Sequence, residues 1–126
     1  MVESDLRNYE VFARSTDTFG RVLCTCRNHH FVVDGPVQNG CPGEAVTPAE
    51  IFLSGVAACG VELLQVIAKA TSVPLTAARV AITAVMDRAR PVRPDFALFN
   101  SVHLRFALAG VTKDQAGQLV EAFQGR

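Results

Sequence analysis

The sequence contains four cysteines, and Cys59 is the one whose surroundings point most clearly to chemistry. It follows the small-residue run 55–58 and precedes Gly60. Glycine inside a helix costs about 1 kcal/mol relative to alanine, so glycines on both sides of one cysteine indicate that something approaches the helix closely there. A cysteine reacts as its thiolate, which needs a nearby cation or helix N-terminus. Because Cys59 lies about eleven positions inside its helix, beyond the reach of the terminal dipole, the cation must come from another element. The alternative is a buried cysteine that acts as a small apolar residue.

The other cysteines raise the question of a metal site. Cys24 and Cys26 lie close to His29 and His30, and thiolate and imidazole are ligands that suit zinc or copper. However, the sequence has no C-x-x-C or H-x-x-x-H spacing, and cysteines two apart on a strand normally face the core. We therefore expect no metal and no cofactor. Cys41, in a Gly-Cys-Pro-Gly loop, is either an incidental thiol or a surrogate resolving thiol.

The first third of the chain is typical of antiparallel strands. Segments 9–14 and 21–26 are predicted strands joined by a turn at 17–20. A third strand is expected over 29–33, and Asp34-Gly35-Pro36 ends it because proline cannot extend a ladder.

A long helix follows. Thr47 can cap it, Pro48 suits its first position, and Glu50 can close a capping box, so we expect a helix to about Ala70. Its apolar residues point in nearly every direction around the axis, which predicts a helix that is surrounded rather than laid on a surface. In so short a chain, part of that cover is expected to come from a second subunit.

Two alternating segments, 79–87 and 101–108, predict a second antiparallel pair with a loop at 91–94. Thr112 and Gln115 can form another capping box before a short amphipathic helix. The fold class is then α+β, with one domain over residues 1–126.

Composition narrows the function classes. Twelve basic and twelve acidic residues leave a formal charge of zero, so nucleic acid is not an expected partner. Segment 1–7 has no apolar signal core, and the longest polar-poor run is shorter than a membrane span, so we expect a cytoplasmic protein with reduced thiols. The hydrophobic content of 49% is high for so short a chain, and an oligomer interface would bury part of the resulting apolar surface. No Ser/His/Asp arrangement and no phosphate-binding glycine loop is present in the sequence.

Two stretches, 27–36 (RNHHFVVDGP) and 47–59 (TPAEIFLSGVAAC), resemble the OsmC/Ohr family of osmotically inducible and organic-hydroperoxide-resistance proteins, in particular its broad OsmC-like branch. The resemblance covers most of the chain. It implies an intertwined homodimer in which N-terminal strands, a second β-hairpin and a short C-terminal helix surround two long buried central helices, one from each subunit.

The resemblance also implies a thiol-dependent peroxidase that reduces organic hydroperoxides with a dithiol reductant, without metal or flavin. Cys59 corresponds to the peroxidatic cysteine. The family's thiolate-stabilising arginine near the first hairpin has Arg21 as its counterpart, with Arg14 and Arg27 as alternatives.

The chain departs from the family pattern at two places. The family's glutamate lies ten residues before the cysteine, where this chain has Ala49, with Glu50 one place later. Glu50 is thus both the nearest counterpart of that catalytic glutamate and a helix cap. The family's second redox cysteine follows the last helix, where this sequence has none, so we expect the family's extreme C-terminal segment to be missing. The alternatives are that another thiol resolves or that the two-cysteine cycle does not operate. A non-catalytic OsmC-like protein that binds a small apolar ligand at the dimer interface is the alternative function.

Overall fold

The computed structural model describes residues 4–95 and 99–125. The chain forms two compact units, Met1–Phe52 and Leu53–Arg126, and the division falls inside the long helix. The prediction for segment 1–7 extends over residues 1–3, which lie outside the described residues.

The first unit contains a three-stranded antiparallel sheet in the order β1-β2-β3. The strands are β1 (Phe12–Ser15), β2 (Arg21–Cys26) and β3 (His29–Asp34). Gly20, at φ 80°, supplies the left-handed conformation that the first turn requires. A short 3-10 helix, Val37–Asn39, follows the third strand.

The long helix α1 spans Pro48–Ala70, as the capping pattern predicted. The second unit holds the rest of α1, the antiparallel pair β4 (Ala77–Val85) and β5 (Ser101–Ala109), and α2 (Lys113–Gln124). Its core is formed by buried side chains from both helices: Leu64, Ile67, Ala68 and Leu119. The ring of Phe106 on β5 meets that of Phe123 on α2 edge-to-face, with centroids 5.7 Å apart.

Two strands stop short of the predicted segments by two or three residues. β1 begins at Phe12 rather than Tyr9 because its partner strand β2 ends there. Phe12 pairs with Thr25, and the chain turns at Arg27, which has φ 53°. β4 ends at Val85 rather than Asp87 because the Asp87 amide donates to the side chain of Asn100, at 2.7 Å, and leaves the ladder.

The burial of α1 within one chain is much less than the all-round apolar pattern predicted. Four of its residues are buried: Gly60, Leu64, Ile67 and Ala68. Ile51 and Val66 are among the apolar side chains that stay exposed. In length and composition, among the described residues, α1 would also pass for a membrane span, a test that the core helix of a soluble protein passes as well.

Candidate functional site

Cys59 lies on α1 in the second unit, and its side chain is exposed. A single chain therefore does not bury Cys59, in contrast to the alternative in which this cysteine acts as a buried apolar residue. Its neighbour Gly60 is buried, and a methyl group at Gly60 would meet Val80, Phe123 and Phe106 at 3.5 to 3.9 Å. These are ordinary van der Waals distances, and a methyl group at Gly55 would meet nothing within 4 Å among the described residues, so the close approach predicted from the glycines is not seen at either position.

Arg21 opens β2 in the first unit and forms a two-pronged ion pair with Asp34. Its Nε and Nη2 atoms donate to the two carboxylate oxygens at 2.8 and 2.9 Å. This fork-to-fork geometry fixes the plane of the guanidinium as well as its position. Nη2 also reaches Oε1 of Glu44 at 3.4 Å, a longer contact to an exposed side chain. The side chain of Arg21 stays 31% exposed, and Nη1 has no partner among the described residues.

Asp34 is the acceptor around which this cluster is built. Its side chain is fully buried, and one carboxylate oxygen also accepts the backbone N–H groups of Glu44 and Ala45 at 3.0 and 2.8 Å. These hydrogen bonds, Arg21 first and the Ala45 amide next, hold the pKa of Asp34 far below its ordinary value, although burial opposes the shift. The hydrogen bond with Asp34 likewise raises the pKa of Arg21, which is cationic at any physiological pH.

Two glycines let the chain close around this ion pair. Gly20 and Gly35 flank Arg21 and Asp34, and the amide of Gly35 donates to the carbonyl of Gly20 at 2.8 Å. A methyl group on either glycine would overlap Cys41. The half-buried Cys41 therefore packs where these two residues have no side chain, which gives this loop thiol a structural role.

Glu50 acts as the cap of α1. Its Oε1 atom accepts the backbone N–H of Thr47 at 3.0 Å and the Thr47 hydroxyl at 2.8 Å. The backbone N–H of Glu50 donates in return to the Thr47 hydroxyl at 3.5 Å, which completes the predicted capping box. These hydrogen bonds, the backbone one first, lower the pKa of Glu50. The carboxylates that hold Arg21 are those of Asp34 and Glu44, and the sequence interpretation had missed both.

Of the predicted site residues, Arg21 and Glu50 lie in the first unit and Cys59 in the second. The two alternative arginines lie elsewhere in the first unit: Arg14 is on β1, opposite Leu23 of β2, and Arg27 is in the turn between β2 and β3. Asp34 had been interpreted as a turn residue, yet it lies opposite Arg21 in the strand register, and that register is the signal that could have identified it.

The metal interpretation is not supported. No group of three or more His, Cys, Asp or Glu side chains within the described ranges could hold an ion. Cys24 and Cys26 are half-buried free thiols, and His30 is engaged by the hydroxyl of Thr25 through Nδ1 at 3.0 Å.

The second unit also contains a cavity of about 400 Å³ between β5 and α2. Its walls are mainly apolar and include two polar side chains: Phe106, Leu108, Ala116, Gly117, Val120, Glu121 and Gln124.

Neither a protein-family model nor a curated protein matches this sequence. Solved structures do match. An OsmC-like protein from Mycoplasma pneumoniae aligns over 95% of this chain and 82% of its own, at 14% identity and TM-score 0.80. The chain has the OsmC/Ohr fold. An organic hydroperoxide resistance protein from Elizabethkingia anophelis aligns over 98% of this chain and 85% of its own, at 18% identity and TM-score 0.78. Another from Legionella pneumophila aligns over 97% and 85%, at 21% identity and TM-score 0.72.

The OsmC/Ohr resemblance and the α+β class predicted from the sequence are thereby confirmed at the level of fold. Identities of this size carry the fold and leave the activity to be argued from the residues of this chain.

Proposed function

We propose that this OsmC/Ohr-fold protein is a thiol-dependent peroxidase that reduces organic hydroperoxides through Cys59. The observation that carries the proposal is an exposed cysteine in the middle of the apolar helix of this fold. Within one chain, the small residues beside this thiol leave room for a bulky alkyl peroxide, whereas a buried thiol is inert.

The reaction requires no metal or flavin. The Cys59 thiolate attacks one peroxide oxygen, the O–O bond breaks, and the departing alkoxide takes up a proton to become the alcohol. The sulfur is thereby oxidised to a sulfenic acid. A thiol of an external dithiol then condenses with the sulfenic acid, releasing water and forming a mixed disulfide. The second thiol of the reductant attacks this bond, returns Cys59 to the thiol and leaves the reductant as a disulfide.

Arg21 is the cation that we propose for the thiolate. Asp34 and Glu44 orient its guanidinium and leave Nη1 without a partner among the described residues, so this end can donate to an anion. In this proposal Asp34 takes the positioning role of the family's glutamate, and Glu50 contributes through the start of α1.

We propose that the protein acts as a cytoplasmic homodimer. The exposed apolar side chains of α1, including Ile51 and Val66, need cover that one chain does not supply. A second copy of the same helix supplies an apolar surface of matching length.

The test is turnover of an alkyl hydroperoxide in the presence of a dithiol. We expect wild-type protein to consume the peroxide and Cys59→Ser to lose turnover while its circular dichroism and thermal unfolding stay unchanged. Cys24→Ser is the matched control, because its half-buried thiol should not contribute. Turnover by Cys59→Ser at the wild-type rate would exclude the assignment.

The cavity between β5 and α2 supports a second candidate function, the binding of a small apolar ligand. Gly117 lines this cavity, and a methyl group there would meet nothing within 4 Å among the described residues. If the protein is a binder, Gly117→Leu should weaken binding of the neutral dye Nile red by filling the cavity, whereas Gly117→Ala should not. Equal binding by all three proteins would reject the cavity as the ligand site.

A further inference from the structure

The outward face of the β4–β5 pair carries basic side chains on a background of small ones. Phe106 packs against Phe123 of α2, so α2 covers the opposite face of the pair. On the outward face, every side chain is exposed. Its residues alternate along the two strands: Ala77, Arg79, Ala81, Thr83 and Val85 on β4, and Ser101, His103, Arg105, Ala107 and Ala109 on β5.

The strand register brings two arginines together on this face. Arg79 lies opposite Ala107, and Ala81 lies opposite Arg105, so the arginines are diagonal neighbours. Diagonal neighbours in an antiparallel pair are about 7–8 Å apart at the backbone, within reach of one another for long side chains. A cavity of about 350 Å³ lies at this position of the strand pair, and it is lined by these four residues together with Val80 and Phe106.

Both guanidiniums lack a counter-ion among the described residues. Neither Arg79 nor Arg105 takes part in an ion pair with a described carboxylate, and no acidic residue lies on the outward face of either strand. The zero net charge of the chain hides an uneven distribution. Residues 53–126 include eight basic and five acidic side chains, a formal charge of +3, which the remaining residues balance.

We propose that Arg79 and Arg105 form a binding site for the oxyanion group of a small molecule, a phosphate or a carboxylate. A guanidinium presents parallel N–H donors that match both groups. Two of them facing one cavity can hold an oxyanion from two sides. The methyl side chains of Ala81 and Ala107 leave the floor open, so the ligand rests against the sheet between the arginines.

This site is independent of the peroxidase proposal, because it uses none of the residues assigned to that reaction. It can therefore be tested directly by binding. The probe is inorganic phosphate, added to ¹⁵N-labelled protein at constant ionic strength while amide chemical shifts are followed, with acetate in a parallel titration.

Saturable shifts are expected at the amides of residues 79–81 and 105–107. Arg79→Gln and Arg105→Gln should each weaken the binding about tenfold or more, since a charge-assisted hydrogen-bond pair is lost. Ala107→Glu should abolish binding, because it places a carboxylate in the cavity. Arg88→Gln, which removes an exposed arginine of the same unit outside the cavity, should bind like wild type.

Saturation by either anion supports the site, and the stronger of the two identifies its chemistry. Shifts that fail to saturate, or that decline equally in Arg88→Gln and Arg105→Gln, would overturn the proposal and leave general charge screening as their cause.

Discussion

At the scale of single residues, the carboxylate of Asp34 determines the geometry of the first unit. Arg21 donates to both of its oxygens, and the amides of Glu44 and Ala45 donate to one of them. A fully buried charge is tolerated only when it is paired and hydrogen-bonded in this way. The ion pair thus ties the start of β2 to the end of β3 and to the loop before α1.

This ion pair makes stability depend on pH. The folded state lowers the pKa of Asp34 below its ordinary value of 3.8, so its contribution is complete well above that value. It is lost as the pH falls below 3.8 towards the folded pKa, because the unfolded chain then binds the proton more readily.

We expect Asp34→Asn to lower the free energy of unfolding at neutral pH and to flatten its decline in acid. Urea unfolding at pH 7 and at about pH 3 would measure both effects, with Asp17→Asn in the exposed turn as control. An identical acid decline in wild type and Asp34→Asn would contradict this account of the buried pair.

Arg21→Lys tests the guanidinium itself. Lysine keeps the charge but cannot form the two-pronged contact with Asp34, so the cation loses its fixed orientation. We expect kcat/KM for an alkyl hydroperoxide to fall by about tenfold or more, while Arg14→Lys and Arg27→Lys keep the wild-type value. A loss confined to Arg14→Lys or Arg27→Lys would instead assign the role to one of those alternatives.

Residue types at this site were only partly predictable. Cys59 stands out by local pattern and by family resemblance, and Arg21 by the resemblance alone. Asp34 did not, because Asp-Gly-Pro is also a turn signal, and its pairing with Arg21 depends on the register between two strands. Glu44 contacts Arg21 from the loop before α1, and no periodic sequence pattern predicts the conformation of that loop.

At the scale of elements, helix boundaries followed from local chemistry. Helix α1 begins at Pro48 and ends at Ala70, as predicted. The capping box of α2 is present in full. The backbone N–H of Gln115 donates to the Thr112 hydroxyl at 3.1 Å, and the backbone N–H of Thr112 donates to the side-chain oxygen of Gln115 at 3.0 Å. Strand lengths were less predictable. The start of β1 depends on where its partner turns, and the end of β4 on the side chain of Asn100, thirteen residues beyond Asp87.

Thr112→Ala should destabilise the protein by about 1 kcal/mol, because it leaves an orphan N–H at the start of α2. Chemical unfolding measures the change, and Gln118→Ala in the exposed middle of the same helix is the control. In a Gln115→Ala background the Thr112→Ala change should be smaller, since the reciprocal hydrogen bond is already lost. Additive effects would mean that the two residues do not act as one cap.

At the scale of the whole molecule, one chain leaves much of the apolar surface of α1 exposed, and the sequence interpretation had assigned part of its cover to a second subunit. The all-round pattern indicated a covered helix, and one chain buries four of its residues. The periodicity of apolar residues indicates that the helix surface must be buried, but it does not indicate whether the same chain or a second copy buries it. The homodimer therefore stays a prediction.

If α1 is covered by a second copy, the protein should sediment with the mass of two chains, and Val66→Asp should shift it towards one. A charge at this exposed apolar position would be desolvated in a dimer interface. Gln65→Asp, at the neighbouring exposed position, should remain dimeric. Wild-type protein that sediments as a single chain at micromolar concentration would contradict the dimer.

The most direct measurement for the central claim is to locate the oxidised sulfur. Reduced protein is treated with one equivalent of an alkyl hydroperoxide while a sulfenic-acid-specific reagent is present, and the labelled cysteine is identified by peptide mapping. We predict label on Cys59, with Cys24, Cys26 and Cys41 left as thiols. Label on one of those three instead, or none on Cys59 when the peroxide is consumed, would contradict the account.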